Sequence, residues 1–248
     1  MPSTEPPHAG ERSGWFATTH WSVILSARDT ASPKGAEALE RLCRTYWYPL
    51  YAFARRTGAH PEDAQDATQS FFADLFRRGS LQQADPEKGR FRNFLLVAFK
   101  RFLANQNEHR HAQKRGGAGV QVTWDTDLAE RRYQIEPHAS WPAERAFERR
   151  WALTLLEQTL ARLRSEWSVA GKAGEFDHLK GFLTVDREPP SYAAAAAALG
   201  VAEGALRVAV HRLRHRFREL FREEIGHTVA RPDDIDDEIR HLLEILAE

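Results

Sequence analysis

Cysteine is nearly absent. Cys43 is the one thiol in 248 residues, so no disulfide can close within the chain, and the several Cys/His ligands of a zinc site are missing. Long hydrophobic runs are absent too. The longest runs, such as FLLVAF at residues 94–99, fall far short of the ~20 residues that span a bilayer. The opening MPSTEPPHAGERSG has no apolar core of the kind a secretory signal needs. A reducing cytoplasm is the expected compartment. No phosphate loop of the form GxxxxGK[ST] occurs, and KRGGAG at residues 114–119 reads as linker. Strand-like alternation and internal repeats are also missing, which leaves helical periodicity as the organising signal.

Net charge is absent only as a sum. Lysine plus arginine number 35, as do aspartate plus glutamate, but the signs are segregated. Residues 88–115 hold eight Lys/Arg and one acid, Glu108. Residues 207–222 hold six arginines and one acid, Glu219. Residues 233–248 hold seven acids and one base, Arg240. Two basic zones and an acidic tail cancel, and such blocks speak of partners more than the total does. With 42% hydrophobic and 28% charged residues, the chain has the composition of a packed globular protein.

The pattern predicts an all-α chain. An extension covers residues 1–35, where TTHWSVIL offers Thr18 and Thr19 as caps and Trp21, Ile24 and Leu25 at helical spacing. Leu39, Leu42, Cys43, Tyr46, Leu50 and Phe53 recur at three and four, an amphipathic helix that Pro49 is expected to kink or restart. Cys43 on that stripe is a small core residue. Pro61, Glu62 and Asp63 suit the first turn of the next helix. A turn-rich loop leads to a long helix carrying Phe91, Leu95, Ala98, Phe99 and Phe102. GGAGVQVTWDTD breaks it, and residues 117–140 read as a linker. A second helical region begins near Trp141 and Pro142. A last amphipathic helix carries Ile235, Ile239, Leu242, Leu243 and Leu246 beneath its acids. A purely solvating tail has no need of that stripe, so the helix is expected to dock on the second lobe or the linker.

The most informative stretch is SYAAAAAALGVAEGALRVAVHRLRHRFREL, residues 191–220. Ser191 can cap a first helix, and Gly200 supplies a turn that needs positive φ. A second helix starts near Ala202. With Gly200 at the turn, Ala196 falls where the two helices cross and only a small side chain fits. Leu199, Leu206, Val210, Leu213 and Phe217 form the buried stripe. Arg207, His211, Arg212, Arg214 and His215 lie largely off it, and Arg216 and Arg218 widen the basic surface. A helix meant for the DNA major groove needs such cations for phosphates and guanine edges. The plain alternative is a strong helix former followed by a solvated basic face.

The earlier basic zone interleaves rings, cations and amides, the set that single-stranded DNA needs. Phe91, Phe99 and Phe102 are expected in the core. Arg92, Asn93, Lys100, Arg101, Asn105 and Arg110 are the candidates for the nucleic-acid side. The segment PEDAQDATQSFFADLF differs. Residues 60–76 hold four acids and no Lys or Arg, a face for a basic protein rather than for DNA. Its candidates are Asp63, Asp66, Gln69 and Asp74. EHRH at residues 108–111 is weak support for a metal or a general base, and no catalytic residue, metal or cofactor is expected.

The order of these parts resembles the extracytoplasmic-function (ECF) group of bacterial RNA polymerase sigma factors, over most of residues 36–116 and 145–225. PEDAQDATQSFF resembles the family helix that docks on the β′ clamp helices of polymerase. YAAAAAALGVAEGALRVAVHRLR resembles its promoter-reading helix-turn-helix. Departures are visible. Ser70 stands where the first motif usually has an acid, Lys100-Arg101 and Asn105 replace the usual Arg-Asn and later Asp, and no glutamate remains among the alanines. The resemblance implies two helical domains joined by a linker: sigma domain two at 36–116, binding core polymerase and the minus-ten element, and sigma domain four at 141–230, reading the minus-thirty-five element. An acidic helix at 231–248 follows. The implied partners are core RNA polymerase, through the β′ clamp helices and β flap, and promoter DNA. Regulation by an anti-sigma protein or a kinase is also implied. A helix-turn-helix regulator that never joins polymerase is the rival reading.

Overall fold

In the computed structural model the described residues are 33–77, 80–85, 89–112, 126–135, 141–183, 190–226, 228–229 and 231–247, with the side chains of 34, 38, 41, 80, 82, 107–112, 126–128 and 135 left aside. Helix α1 spans Pro33–Arg56, α2 Pro61–Arg77, α3 Phe91–Ala112, α4 Thr126–Ile135, α5 Ala143–Val169, α6 Ala173–Leu179, α7 Tyr192–Leu199, α8 Glu203–Gly226 and α9 Ile235–Ala247, and short 3-10 turns lie at Ser80–Gln83, Lys180–Phe182 and Pro232–Asp234. No strand occurs among the described residues, and no single helix among them is long and apolar enough to cross a membrane. The helix expected at TTHWSVIL lies outside the described residues.

Helix α1 is the centre of the first core. Its second half is buried on every side, from Thr45 to Ala54. That is why the helix runs unbroken through Pro49: packing all round outweighs the one backbone bond the ring removes. Against it lie Phe71, Phe72 and Leu75 of α2, Phe91, Leu95 and Phe99 of α3, and Phe147, Trp151 and Leu155 of α5. Phe99 meets Phe71 and Phe53 edge-on at centroid distances of 5.0 and 6.1 Å, and Phe91 meets Tyr46 at 5.5 Å. Burial of each such side chain stabilises the fold by roughly 1.5–3 kcal/mol. Phe91 and Phe99 are thus core residues, as expected, and Phe102 is half-buried beside Phe71. Burial pushes the Cys43 thiol up to about 12, with Glu40 adding to the effect, so it is a packing residue rather than a nucleophile.

A second core holds Leu163 of α5, Phe176 and Leu179 of α6, Phe182, Ala196 of α7, and Leu206, Val210, Leu213 and Leu220 of α8. The two cores are bridged by long helices. Helix α5 gives Trp151 to the first and Leu163 to the second, and α8 ends with Ile225 in the first. Part of the expected linker is ordered as α4. It packs Ala129 inward, and its Glu130 accepts from Nε and Nη2 of Arg55 at 2.9 Å each and from the Tyr51 hydroxyl.

Candidate nucleic-acid interface

The turn between α7 and α8 is built as its residues dictate. Ser191 Oγ accepts from the Ala194 amide at 3.3 Å and caps α7. Gly200 closes the helix at φ 65° and ψ 29°, a left-handed conformation that costs glycine nothing. The Val201 amide returns to Ala196 O at 3.0 Å. Three residues, 200–202, then turn the chain by 100° into α8. This is the geometry of a helix-turn-helix. Ala196 is buried at the crossing, above Leu206, Val210 and Leu213. Of the other alanines, Ala193, Ala194, Ala197 and Ala198 are exposed and Ala195 is half-buried, so close approach needs a small side chain mainly at 196.

The outward face of α8 carries Arg207, His211, Arg212, Arg214, His215 and Arg218, all exposed. They are not equally available. Arg207 is paired with Glu203 at 2.6 Å and lies over the Tyr192 ring at 4.5 Å. Arg214 Nε donates to Phe182 O at 3.0 Å, and His215 Nδ1 is 3.4 Å from Glu219. Among the described residues, Arg212 and Arg218 have no ion-pair partner. Arg216 does not widen the basic surface as expected. It donates to both carboxylate oxygens of Glu166 on α5 and to Glu219, and these bonds hold its guanidinium well above its usual range. It is a strut between helices.

A second surface lies along α3. Asn93, Val97, Arg101 and Asn105 recur every four residues and are exposed. With Arg90, Phe94 and Phe102 they form one wall of a groove of about 510 Å³, and Phe71, Asp74 and Leu75 of α2 help to form the other. The groove offers rings, amides and cations together. Lys100 is exposed but off this wall, its Nζ 2.7 Å from Glu144 of α5, whose carboxyl that bond holds below its usual range. The side chains of Arg110 and of the EHRH cluster fall outside those described.

Arg92 corrects the expectation that it faces nucleic acid. Its side chain is 1% exposed. It donates to Glu238 of α9 and lies over the Trp151 ring at 4.5 Å. At the start of α3, spacing alone did not say which side of the helix meets α5 and α9.

The acidic candidates on α2 also divide. Glu62 and Asp66 are exposed near its N-terminus, and Asp63 and Gln69 are half-buried. Asp74 is turned to the groove and takes a bond from Arg77 at 2.8 Å. Only the first turns therefore present an open acidic face.

The acidic tail does dock. Helix α9 packs on α5 and α8, with Leu242 and Ile245 buried. The expected stripe differs in one member: Leu243 is 59% exposed, and Ile245 takes its place inside. Sequence reasoning missed Glu238, which is fully buried. The available signal was its place three residues after Ile235 and four before Leu242, on the apolar face. Against known proteins, no family model, no curated protein and no solved structure matches this chain.

Proposed function

We propose that this chain is an ECF-type sigma factor, which binds core RNA polymerase and directs it to specific promoters. One observation carries the reading. A single chain joins a 100° helix-turn-helix with spare arginines to a separate groove lined by Phe, Asn and Arg. The first arrangement suits duplex DNA, where a helix enters the major groove and cations meet phosphates. The second suits an opened strand, where bases stack on rings and the backbone meets cations. A protein that reads a duplex at one site and holds a single strand at another suits promoter opening.

In this reading residues 36–116 form sigma domain two and residues 141–230 form sigma domain four. Asn93, Arg101 and Asn105 hold the minus-ten strand, with Lys100 at the rim. Arg207, His211 and Arg214 face base edges of the minus-thirty-five element, while Arg212, His215 and Arg218 meet its phosphates. The open acidic turns of α2, Glu62 to Asp66, meet a basic surface of polymerase. No chemistry is assigned to the chain itself.

Run-off transcription with purified core polymerase over a promoter library tests the reading. Initiation restricted to promoters sharing two spaced elements is the expected result. Duplex binding without co-purification of core polymerase would replace it with a regulator that never joins polymerase.

A further inference from the structure

We infer that α9 is a built-in strap that withholds the groove cation Arg90, whose charge Glu238 of α9 neutralises in place of a nucleic-acid phosphate. The inference rests on the reading of the α3 groove as a site for single-stranded DNA.

Arg90 and Arg92 lie two residues apart at the start of α3. Glu238 reaches both: it takes a bond from Arg92 Nη1, and its Oε2 is 2.7 Å from Arg90 Nε. Arg90 also lines the groove and keeps 35% of its side chain exposed. It therefore stands between α9 on one side and the groove's ligand on the other. A cation neutralised at 2.7 Å by a buried carboxylate has little left for a phosphate. The carboxylate acts as an internal anion, matched to guanidinium as a phosphate oxygen is.

The contact is also poorly suited to be mere glue. Glu238 and Arg92 are both removed from water, and such pairs often add little net stability because desolvation offsets attraction. Among the described residues, Arg92 Nε and Nη2 are buried with no hydrogen-bond partner, so most of its donor capacity is unmet there. What holds α9 down is mainly apolar, Leu242 and Ile245 with half-buried Ile235, Ile239 and Leu246, plus Arg149, which donates to the carbonyls of Ile245 and Leu246 at 3.0 Å each, the exposed Arg222–Asp236 pair to α8, and His241 3.8 Å from Glu148 of α5. A helix fastened by a short apolar stripe, with an unsatisfied charge pair beneath it, can lift as one piece. Lifting would release Arg90 to a strand in the groove. A binding site whose competent form is only fractionally populated shows an affinity reduced by that fraction.

The test uses the full chain and a labelled oligothymidylate, in a salt series, with hydrogen exchange read over α9. Two variants loosen the strap from opposite ends: Glu238→Gln at the arginines, and Arg149→Ala, which leaves every groove residue intact. Both are expected to lower α9 protection, to tighten single-strand binding about tenfold at low salt, and to steepen the salt dependence by about 0.7 for one phosphate newly met. Lost α9 protection with unchanged affinity and slope overturns the strap while leaving the groove reading in place. Unchanged protection in both variants overturns it as well. If the parent and both variants hold no single strand, even with core polymerase, the groove reading falls and the strap with it. Should Glu238→Gln fail to fold, Arg149→Ala decides alone.

Discussion

Arg216 on α8 and Glu166 on α5 form a two-pronged bond, Nε to Oε2 and Nη2 to Oε1, each at 2.9 Å. It ties the helix-turn-helix to the long helix that crosses both cores. Arg216→Ala is expected to lower the urea midpoint by about 0.5–1 kcal/mol of stability, modest because both side chains are 37% exposed. Affinity for duplex DNA should be unchanged in the fully folded variant. A loss of DNA affinity at constant stability would show that Arg216 reaches the ligand after all.

Arg212 and Arg218 should behave in the opposite way. Each is exposed on α8 and has no ion pair among the described residues. Their alanine variants should melt as the parent does, weaken promoter binding evenly across sequences, and each reduce the salt slope by about one. For Arg207 a contact with guanine predicts a loss of roughly 1–3 kcal/mol at one base pair. Release from Glu203 and Tyr192 must come first, so Glu203→Ala should tighten binding slightly. Binding isotherms at several salt concentrations separate these cases.

The open acidic turns of α2 give a third prediction. Glu62→Lys with Asp66→Lys should leave folding intact, since both side chains are exposed, and should weaken co-purification with core polymerase. Like charges set against a basic partner cost several kcal/mol. Undiminished recovery of core polymerase would remove α2 from the interface.

Glu130 makes stability depend on pH. The Arg55 hydrogen bonds, then the Tyr51 hydroxyl, hold its carboxyl below the usual carboxylate range. A depressed carboxyl stabilises the fold fully above its unfolded value, and the contribution is lost as pH falls through the folded value. The parent should therefore exceed Glu130→Gln in stability at neutral pH, and the gap should close in acid below about pH 4. Hydrogen exchange should show α4 amides loosening first. A gap independent of pH would assign the effect to packing instead.

Ala196 tests the helix crossing. Leucine there has no room above Leu206 and Val210, and such overpacking costs typically about 1–3 kcal/mol. Ala197→Leu, one residue on and exposed, should cost almost nothing. Thermal unfolding of the two variants distinguishes a crossing point from a generally tight alanine face.

Local chemistry alone determined much of this protein. Ser191 and Gly200 set the limits of α7 because a hydroxyl satisfies a free amide and glycine tolerates positive φ. The three-and-four spacing of Leu42, Tyr46, Leu50 and Phe53 called for a buried face on α1, and that of Leu206, Val210 and Leu213 for one on α8. These signals act over one or two turns, so they are visible along the chain. Tertiary structure decided which arginines are spare. Arg92, Arg212, Arg216 and Arg218 are alike as letters, yet Arg92 is buried beneath α9, Arg216 is bound across to α5, and Arg212 and Arg218 are exposed with no ion pair among the described residues. The partners that decide this, Glu238 and Glu166, lie 146 and 50 residues away in sequence. A cation's availability depends on carboxylates brought near by folding, and no local period records them.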